Sequence, residues 1–330
     1  KLDPKPRSLL ICGGFSSDQY FFLLPFAHGY SSSKAINTWI LDQQLEACVL
    51  ANKDIQAILN NYTIVIEGRG ATSIGWLSLK RFIYALRAIP QALWITITLT
   101  RASLLDQKSW YLSQICHGVW DSALQSGKDG KLKPNRSEIL KSSIFVISRS
   151  LRSAKICCSY NISCAMVAHN VYGMKGTVAA LRANNIPIIS LAENSLFKLG
   201  VDHDSIGPNR ERMDSIIKSI EINEFEDFWK RRSRGISSYS DAMNAGKLFT
   251  ATNSEQIGDN YVFLHVFKDS PFFSIDRERL FSDYIEWVRC TLWILAKSRE
   301  KWHIRLHPSA ELWGENQSVF LDRILLSLFG

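Results

Sequence analysis

Short apolar runs recur along this chain, each closed by a polar or glycine-rich turn and followed by a stretch of helical periodicity. Ser8 to Cys12 is the first, meeting Gly13-Gly14 as a strand opens into a turn. Ser31 to Ser33 are placed to cap a helical stretch running to about Leu59. Tyr62 to Ile66 is short and β-branched, a buried strand broken by Glu67-Gly68-Arg69-Gly70. Trp76 to Ala88 reads as a helix ended by Pro90, and Leu93 to Leu99 (LWITITL) as a third strand. Ser103 to Gln125 is a long helical stretch rich in aromatics, Gly127 to Asn135 a surface loop, and Ser137 to Ser150 a further helix.

The same rhythm continues. Cys164 to Ala168 is a strand ending in His169-Asn170, Lys175 to Ala183 is helical, and Ile186 to Leu191 is a strand. Glu221 to Arg234 has the period of an amphipathic helix, and residues 237–260 lose periodicity as a linker would. Tyr261 to Val266 then reads as a strand, Asp276 to Ala296 as a helix and Trp302 to Leu306 as a strand ending in His307-Pro308. Strand, turn, helix and strand in alternation predict an α/β fold with a parallel sheet under helices. Residues 1–250 are expected to form one domain and 251–330 the start of a second. Seventy residues from 261 onward are few for a domain of about 100–150 residues. The chain also starts at Lys1 and stops within a helical pattern, so a fragment with an incomplete second domain is expected.

Composition narrows the class. With 46% hydrophobic and 21% charged residues, the chain has the balance of a folded protein. Its longest central apolar run, Ile89 to Thr100, is too short to span a bilayer and suits a buried strand. No charged-then-apolar leader opens it, so a cytoplasmic location is expected. Seven cysteines, none in a CxxC pair or beside a histidine cluster, point to reduced thiols rather than disulfides or zinc. The net charge of +8 favours anionic partners, and Lys230-Arg231-Arg232-Ser233-Arg234 reads first as the solvated end of a helix. No basic patch with interleaved aromatics marks a nucleic-acid module.

Ligands of open α/β sheets bind beyond the carboxyl ends of the strands, so polar residues just after strands carry the candidate chemistry. Gly13 and Gly14 would let backbone approach a ligand, and Gly70 would shape a cleft loop; neither glycine group matches GxGxxG, which argues against NAD. His169 and Glu193 are rival general bases at successive strand ends. His265 and Asp269, together with Arg305, His307 and Pro308, repeat one template of apolar strand, polar residue and proline. Their imidazole and guanidinium groups would hold a phosphate oxyanion through charge-assisted hydrogen bonds.

On those residues rests a resemblance. Phe263-Leu264-His265-Val266-Phe267-Lys268-Asp269-Ser270-Pro271-Phe272, Tyr284-Ile285-Glu286-Trp287 and Ile304-Arg305-Leu306-His307-Pro308 resemble bacterial capsular polysaccharide biosynthesis glycosyltransferases. The His-Pro element is similar to that of Kdo- and sialyltransferases that use CMP-sugars. The likeness is specific over residues 261–308 and leaves the first 150 unplaced by motif. It implies a GT-B fold, two Rossmann-like domains facing across a cleft, with nucleotide on the second, acceptor on the first and no metal or cofactor. It further implies that His307 binds donor phosphate, Pro308 fixes its turn, and His265 and Asp269 line the donor site. The expected partners are a nucleotide sugar and a glycan or lipid-linked acceptor of capsule or lipopolysaccharide, without nucleic acid. The basic surface suits peripheral contact with the inner membrane. The alternatives are a non-catalytic glycan-binding or assembly module, and a GT-B-like phosphotransferase or epimerase acting on nucleotide-linked substrates.

Overall fold

The computed structural model describes residues 7–13, 18–42, 45, 47–67, 74–99, 109–126, 134–168, 171–192, 195–199, 260–267, 281, 284–307, 310 and 315–330. They fall into two compact units, the first built on a six-stranded sheet and the second on a two-stranded one. The expected boundary at residue 250 and the amphipathic stretch 221–234 lie outside the described residues.

In the first unit the elements run β1 (Arg7–Cys12), α1 (Asp18–Lys34), β2 (Thr38–Leu41), α2 (Ala47–Leu50), α3 (Lys53–Leu59), β3 (Thr63–Ile66) and α4 (Ile74–Thr98). There follow α5 (Trp110–Ser126), α6 (Arg136–Ser159), β4 (Asn161–Val167), α7 (Met174–Ala183), β5 (Ile188–Ala192) and β6 (Ser195–Leu199). The strand order is β3-β2-β1-β4-β5-β6; the first five are parallel and β6 closes the edge antiparallel. This is an α/β fold with the strand order of the doubly wound, Rossmann-like sheets. The chain winds outward from β1 to β3, then returns to β4 on the other side of β1.

Residue alternation along the strands divides two cores. Leu9 and Ile11 of β1, with Trp39 and Leu41 of β2, pack on Leu23, Leu24 and Ala27 of α1 and Ile55 of α3. Leu10 and Cys12, with Ala165 and Val167 of β4, face Ile156 of α6 and Met174, Val178 and Leu181 of α7. Helices on both faces explain why these strands read as unbroken apolar runs. Two close approaches hold the helices together. A Cβ on Gly176 of α7 would lie 2.2 Å from the Val146 carbonyl oxygen of α6, and one on Gly118 of α5 would lie 2.7 Å from the Tyr172 carbonyl.

The structure departs from the sequence reading at three places. Ser31 to Ser33 do not start a helix; they lie in the last turn of α1, and β2 occupies part of the stretch expected to be helical. Their hydroxyls are used locally, with Ser33 Oγ donating to the Tyr30 carbonyl at 2.8 Å and Ser31 Oγ accepting from Trp39 Nε1 at 2.8 Å. Residues 93–98 are not a strand but the second half of α4, which runs through Pro90. Ala88, Ala92, Ile95 and Leu99 are buried at helical spacing, and α4 packs on α6. The two threonines of that run bond back to carbonyls four residues earlier, Thr96 to Ala92 at 2.6 Å and Thr98 to Trp94 at 2.8 Å. Tertiary packing has overridden β propensity here. The third is β6, a strand on which the sequence reading places no element.

The second unit comprises β7 (Asn260–Phe263), α8 (Tyr284–Lys297), β8 (Trp302–Arg305) and α9 (Gln317–Phe329). β7 and β8 pair in parallel, Phe263 opposite Arg305. Val262, Leu264 and Ile304 join Val288 and Leu292 of α8 and Phe320 and Ile324 of α9 in one core, where the Phe267 and Phe320 rings stack at 4.6 Å. Among the described residues no helix is long and apolar enough to cross a membrane, and Cys12, Cys116, Cys157, Cys158, Cys164 and Cys290 are free thiols.

Candidate functional site

Parallel pairing carries the register of β7 and β8 past their last ladder residues. Two positions beyond Phe263 and Arg305 stand His265 and His307, whose ring centroids are 5.5 Å apart with planes inclined by 56°. The Leu264 amide still donates to the Arg305 carbonyl at 2.9 Å, so the two chains remain in step as they leave the sheet. The two strand tips singled out from the sequence are therefore neighbours.

Three side chains hold the tips. Gln317, buried at the start of α9, accepts from the His307 amide at 2.6 Å and donates to the His265 carbonyl at 2.8 Å. It thereby satisfies one backbone group on each tip. Glu315, also buried, accepts from the Phe267 amide at 3.0 Å. The Tyr284 hydroxyl, at the first residue of α8, accepts from the His265 amide and donates to the His265 carbonyl. Burial raises the Tyr284 phenol well above its usual range, with the hydrogen bond to His265 opposing and Glu315 adding, so it stays protonated. His265 Nδ1 donates to the Val266 carbonyl at 3.1 Å, which leaves Nε2 as the nitrogen directed away from its own backbone.

Side-chain alternation puts Tyr261, Phe263 and His265 of one chain beside His303, Arg305 and His307 of the other, on the face away from the core. Tyr261 stacks on His303 at 5.0 Å, the Arg305 guanidinium lies 5.5 Å from the Tyr261 ring, and Phe263 is 72% exposed. An aromatic and cationic surface thus leads up to the histidine pair. Asp269 and Pro308 lie outside the described residues.

In the first unit the carboxyl edge of the sheet carries a second cluster. Gly13 follows β1, but its amide donates to Asp42 Oδ1 at 3.0 Å, so it is engaged within the protein rather than offered outward. Asp42 ends β2 and is buried. Its Oδ2 lies 3.3 Å from Arg149 Nη2 and 3.4 Å from Arg152 Nη2, and its carbonyl accepts from Arg152 at 2.7 Å. Two guanidiniums on α6 thereby clamp one carboxylate at the carboxyl ends of β1 and β2. Burial lowers the Arg149 pKa against the opposing pull of Asp42, and it raises the Cys12 thiol well above its usual value, with Asp42 adding to the rise. Glu67, just past β3, accepts from the Tyr160 hydroxyl at 2.6 Å. His169, Glu193, Gly14 and Gly70 lie outside the described residues.

Sequence reasoning missed Asp42, Arg149 and Arg152, because Asp42 sat in a stretch expected to be helical, and the helix expected over Ser137 to Ser150 stopped short of Arg152 and gave Arg149 no partner. It also missed Gln317 and Glu315. The signal for those two was Glu315-Asn316-Gln317 ahead of an apolar run, an N-terminal helix signature in which Asn316 accepts from the Val319 amide. The arrangement defines an α/β protein with paired histidines at adjacent parallel strand ends. Compared with protein-family models, curated proteins and solved structures, the chain matches none.

Proposed function

We propose that this chain is a GT-B-type glycosyltransferase that moves a sugar from a nucleotide-sugar donor, a CMP-sugar by preference, to a capsule or lipopolysaccharide acceptor. The observation that carries the reading is the pairing of His265 and His307 at neighbouring strand tips. It is joined by the resemblance of those segments to CMP-sugar transferases with a His-Pro element. In such a reaction the bond between the sugar's anomeric carbon and the nucleotide phosphate breaks, and the phosphate leaves with new negative charge. Meanwhile the acceptor hydroxyl loses its proton to a base, His169 or Glu193 on this reading, and bonds to the anomeric carbon. The resemblance implies no metal ion, so neutralising the leaving phosphate falls to imidazole and guanidinium groups. Each well-placed donor is worth about 2–4 kcal/mol in the transition state. Bracing by Gln317 fixes the backbone of both tips before the charge develops, which lowers the reorganisation needed at the reacting step.

Thermal-shift titration with CMP, UDP, GDP and their sugars tests the proposal. A ligand at 100 times its dissociation constant stabilises by about 2.7 kcal/mol, so one nucleotide family should raise Tm and His307→Ala should abolish the rise. If no nucleotide raises it, the transferase reading is lost. A non-catalytic glycan-binding module is the second reading, favoured by the exposed Phe263 beside Tyr261, their rings 6.2 Å apart. It expects glycan binding that survives His307→Ala.

A further inference from the structure

Helix α4 is apolar on both sides. Its inner face, Ala88, Ala92, Ile95 and Leu99, is spent against the protein. At 100° per residue, Phe82, Ile83, Leu86, Leu93, Trp94 and Ile97 fall within an arc of about 120° on the opposite face. All six are exposed, Phe82 to 58%, Trp94 to 50% and Ile97 to 71%. From Phe82 to Ile97 the stripe is about 23 Å long at 1.5 Å per residue. Scattered exposed leucines need no explanation, whereas a contiguous stripe of this kind marks a surface that meets something.

Charge selects what it meets. Residues 68–105 contain neither aspartate nor glutamate, while Arg87 lies within the helix. Arg87 is exposed at the margin of the stripe, about 20° beyond Trp94. A helix with a long apolar arc, an interfacial tryptophan, an exposed arginine at its margin and no acid fits the plane of an anionic bilayer surface. There the apolar face sinks about 5–10 Å and the arginine meets lipid phosphates. A protein partner would need acidic complementarity of its own, and a second copy of this chain brings the same positive charge to the contact.

We propose that α4 lies in the surface of an anionic membrane, with Phe82, Leu86, Leu93, Trp94 and Ile97 inserted between headgroups. The proposal does not rest on the transferase reading, since it uses neither histidine tip. It fixes how the first unit faces the membrane, with α6 behind α4 on the protein side.

Vesicle flotation tests it with the full chain. Vesicles one-third phosphatidylglycerol in phosphatidylcholine should carry the protein upward, pure phosphatidylcholine vesicles should carry far less, and salt should release it. Leu93→Glu and Ile97→Glu should each lower partitioning about tenfold or more, and Arg87→Gln about fivefold on the anionic vesicles alone. Neither glutamate variant should lose helical circular dichroism or thermal stability, because both positions face solvent. Quenching by brominated lipids should fall in Trp94→Phe relative to the parent. Protein that stays in the aqueous fraction with anionic vesicles overturns the proposal. So does a dimer that Ile97→Glu makes monomeric, which assigns the stripe to a second copy. So does a glutamate variant that unfolds, which assigns the stripe to another segment of the same chain.

Discussion

Replacing glycine by alanine at two helical positions should shift stability in opposite directions, for reasons that can be worked from the packing. At Gly176, in α7, the added Cβ would sit 2.2 Å from the Val146 carbonyl oxygen and 3.1 Å from both its carbonyl carbon and Cγ1. An ordinary contact of that kind needs more than 3 Å, so α7 must move about 1 Å away from α6, and a helix backbone cannot rotate aside as a side chain can. Overpacking of this sort costs about 1–3 kcal/mol or more, against at most about 1 kcal/mol returned by the better helix propensity of alanine. At Gly29, in α1, nothing lies within 4 Å of the added Cβ, so only the propensity term acts, stabilising by up to about 1 kcal/mol. Differential scanning calorimetry of both variants should therefore show Gly176→Ala melting lower by several degrees and Gly29→Ala slightly higher. A Gly176→Ala protein that melts at or above the parent, or a Gly29→Ala protein more damaged than it, would contradict this packing.

Three further outcomes follow from the polar contacts. Asp42→Ala strands two guanidiniums and the Gly13 amide, so urea unfolding should register a loss of about 3–5 kcal/mol, more than Arg152→Ala alone. Gln317→Leu leaves the His307 amide and His265 carbonyl without this partner; it should cost about 1–3 kcal/mol and weaken nucleotide binding further than it lowers stability. Tyr160 is pushed up to about 12, first by its hydrogen bond to Glu67 and then by burial. The folded state thus holds that proton more tightly than the unfolded chain, and the resulting stability is full below about pH 10 and fades toward about pH 12. Urea midpoints across that window should fall less steeply in Tyr160→Phe than in the parent.

Three of the strands that announced themselves alternate between two buried faces. Leu9 to Cys12, Cys164 to Val167 and Ile188-Ile189 are apolar because helices cover both sides of the sheet. Thr38 to Leu41 is equally apolar, but three serines ahead of it mimic a helix cap, and only its long-range pairing with β1 makes it a strand. The second half of α4 misled for the opposite reason. Its β-branched residues suggest a strand, while the period of Ala88, Ala92, Ile95 and Leu99 is helical once Pro90 is accepted inside the helix. At the candidate site the histidines were legible because parallel strands carry their tips side by side. Gln317 was not, since it reaches His265 across 52 positions of sequence, a contact that no local pattern encodes.

The central claim is that His265 and His307 act together on one phosphate. Nuclear magnetic resonance of side-chain nitrogens in 15N-histidine-labelled protein, assigned through single His→Gln variants, tests it during titration with CMP. The account predicts that the His265 and His307 resonances move together along one binding curve, while His303, two same-face pairs earlier, moves less. Nucleotide that binds without disturbing either ring, or that shifts His303 alone, would contradict it.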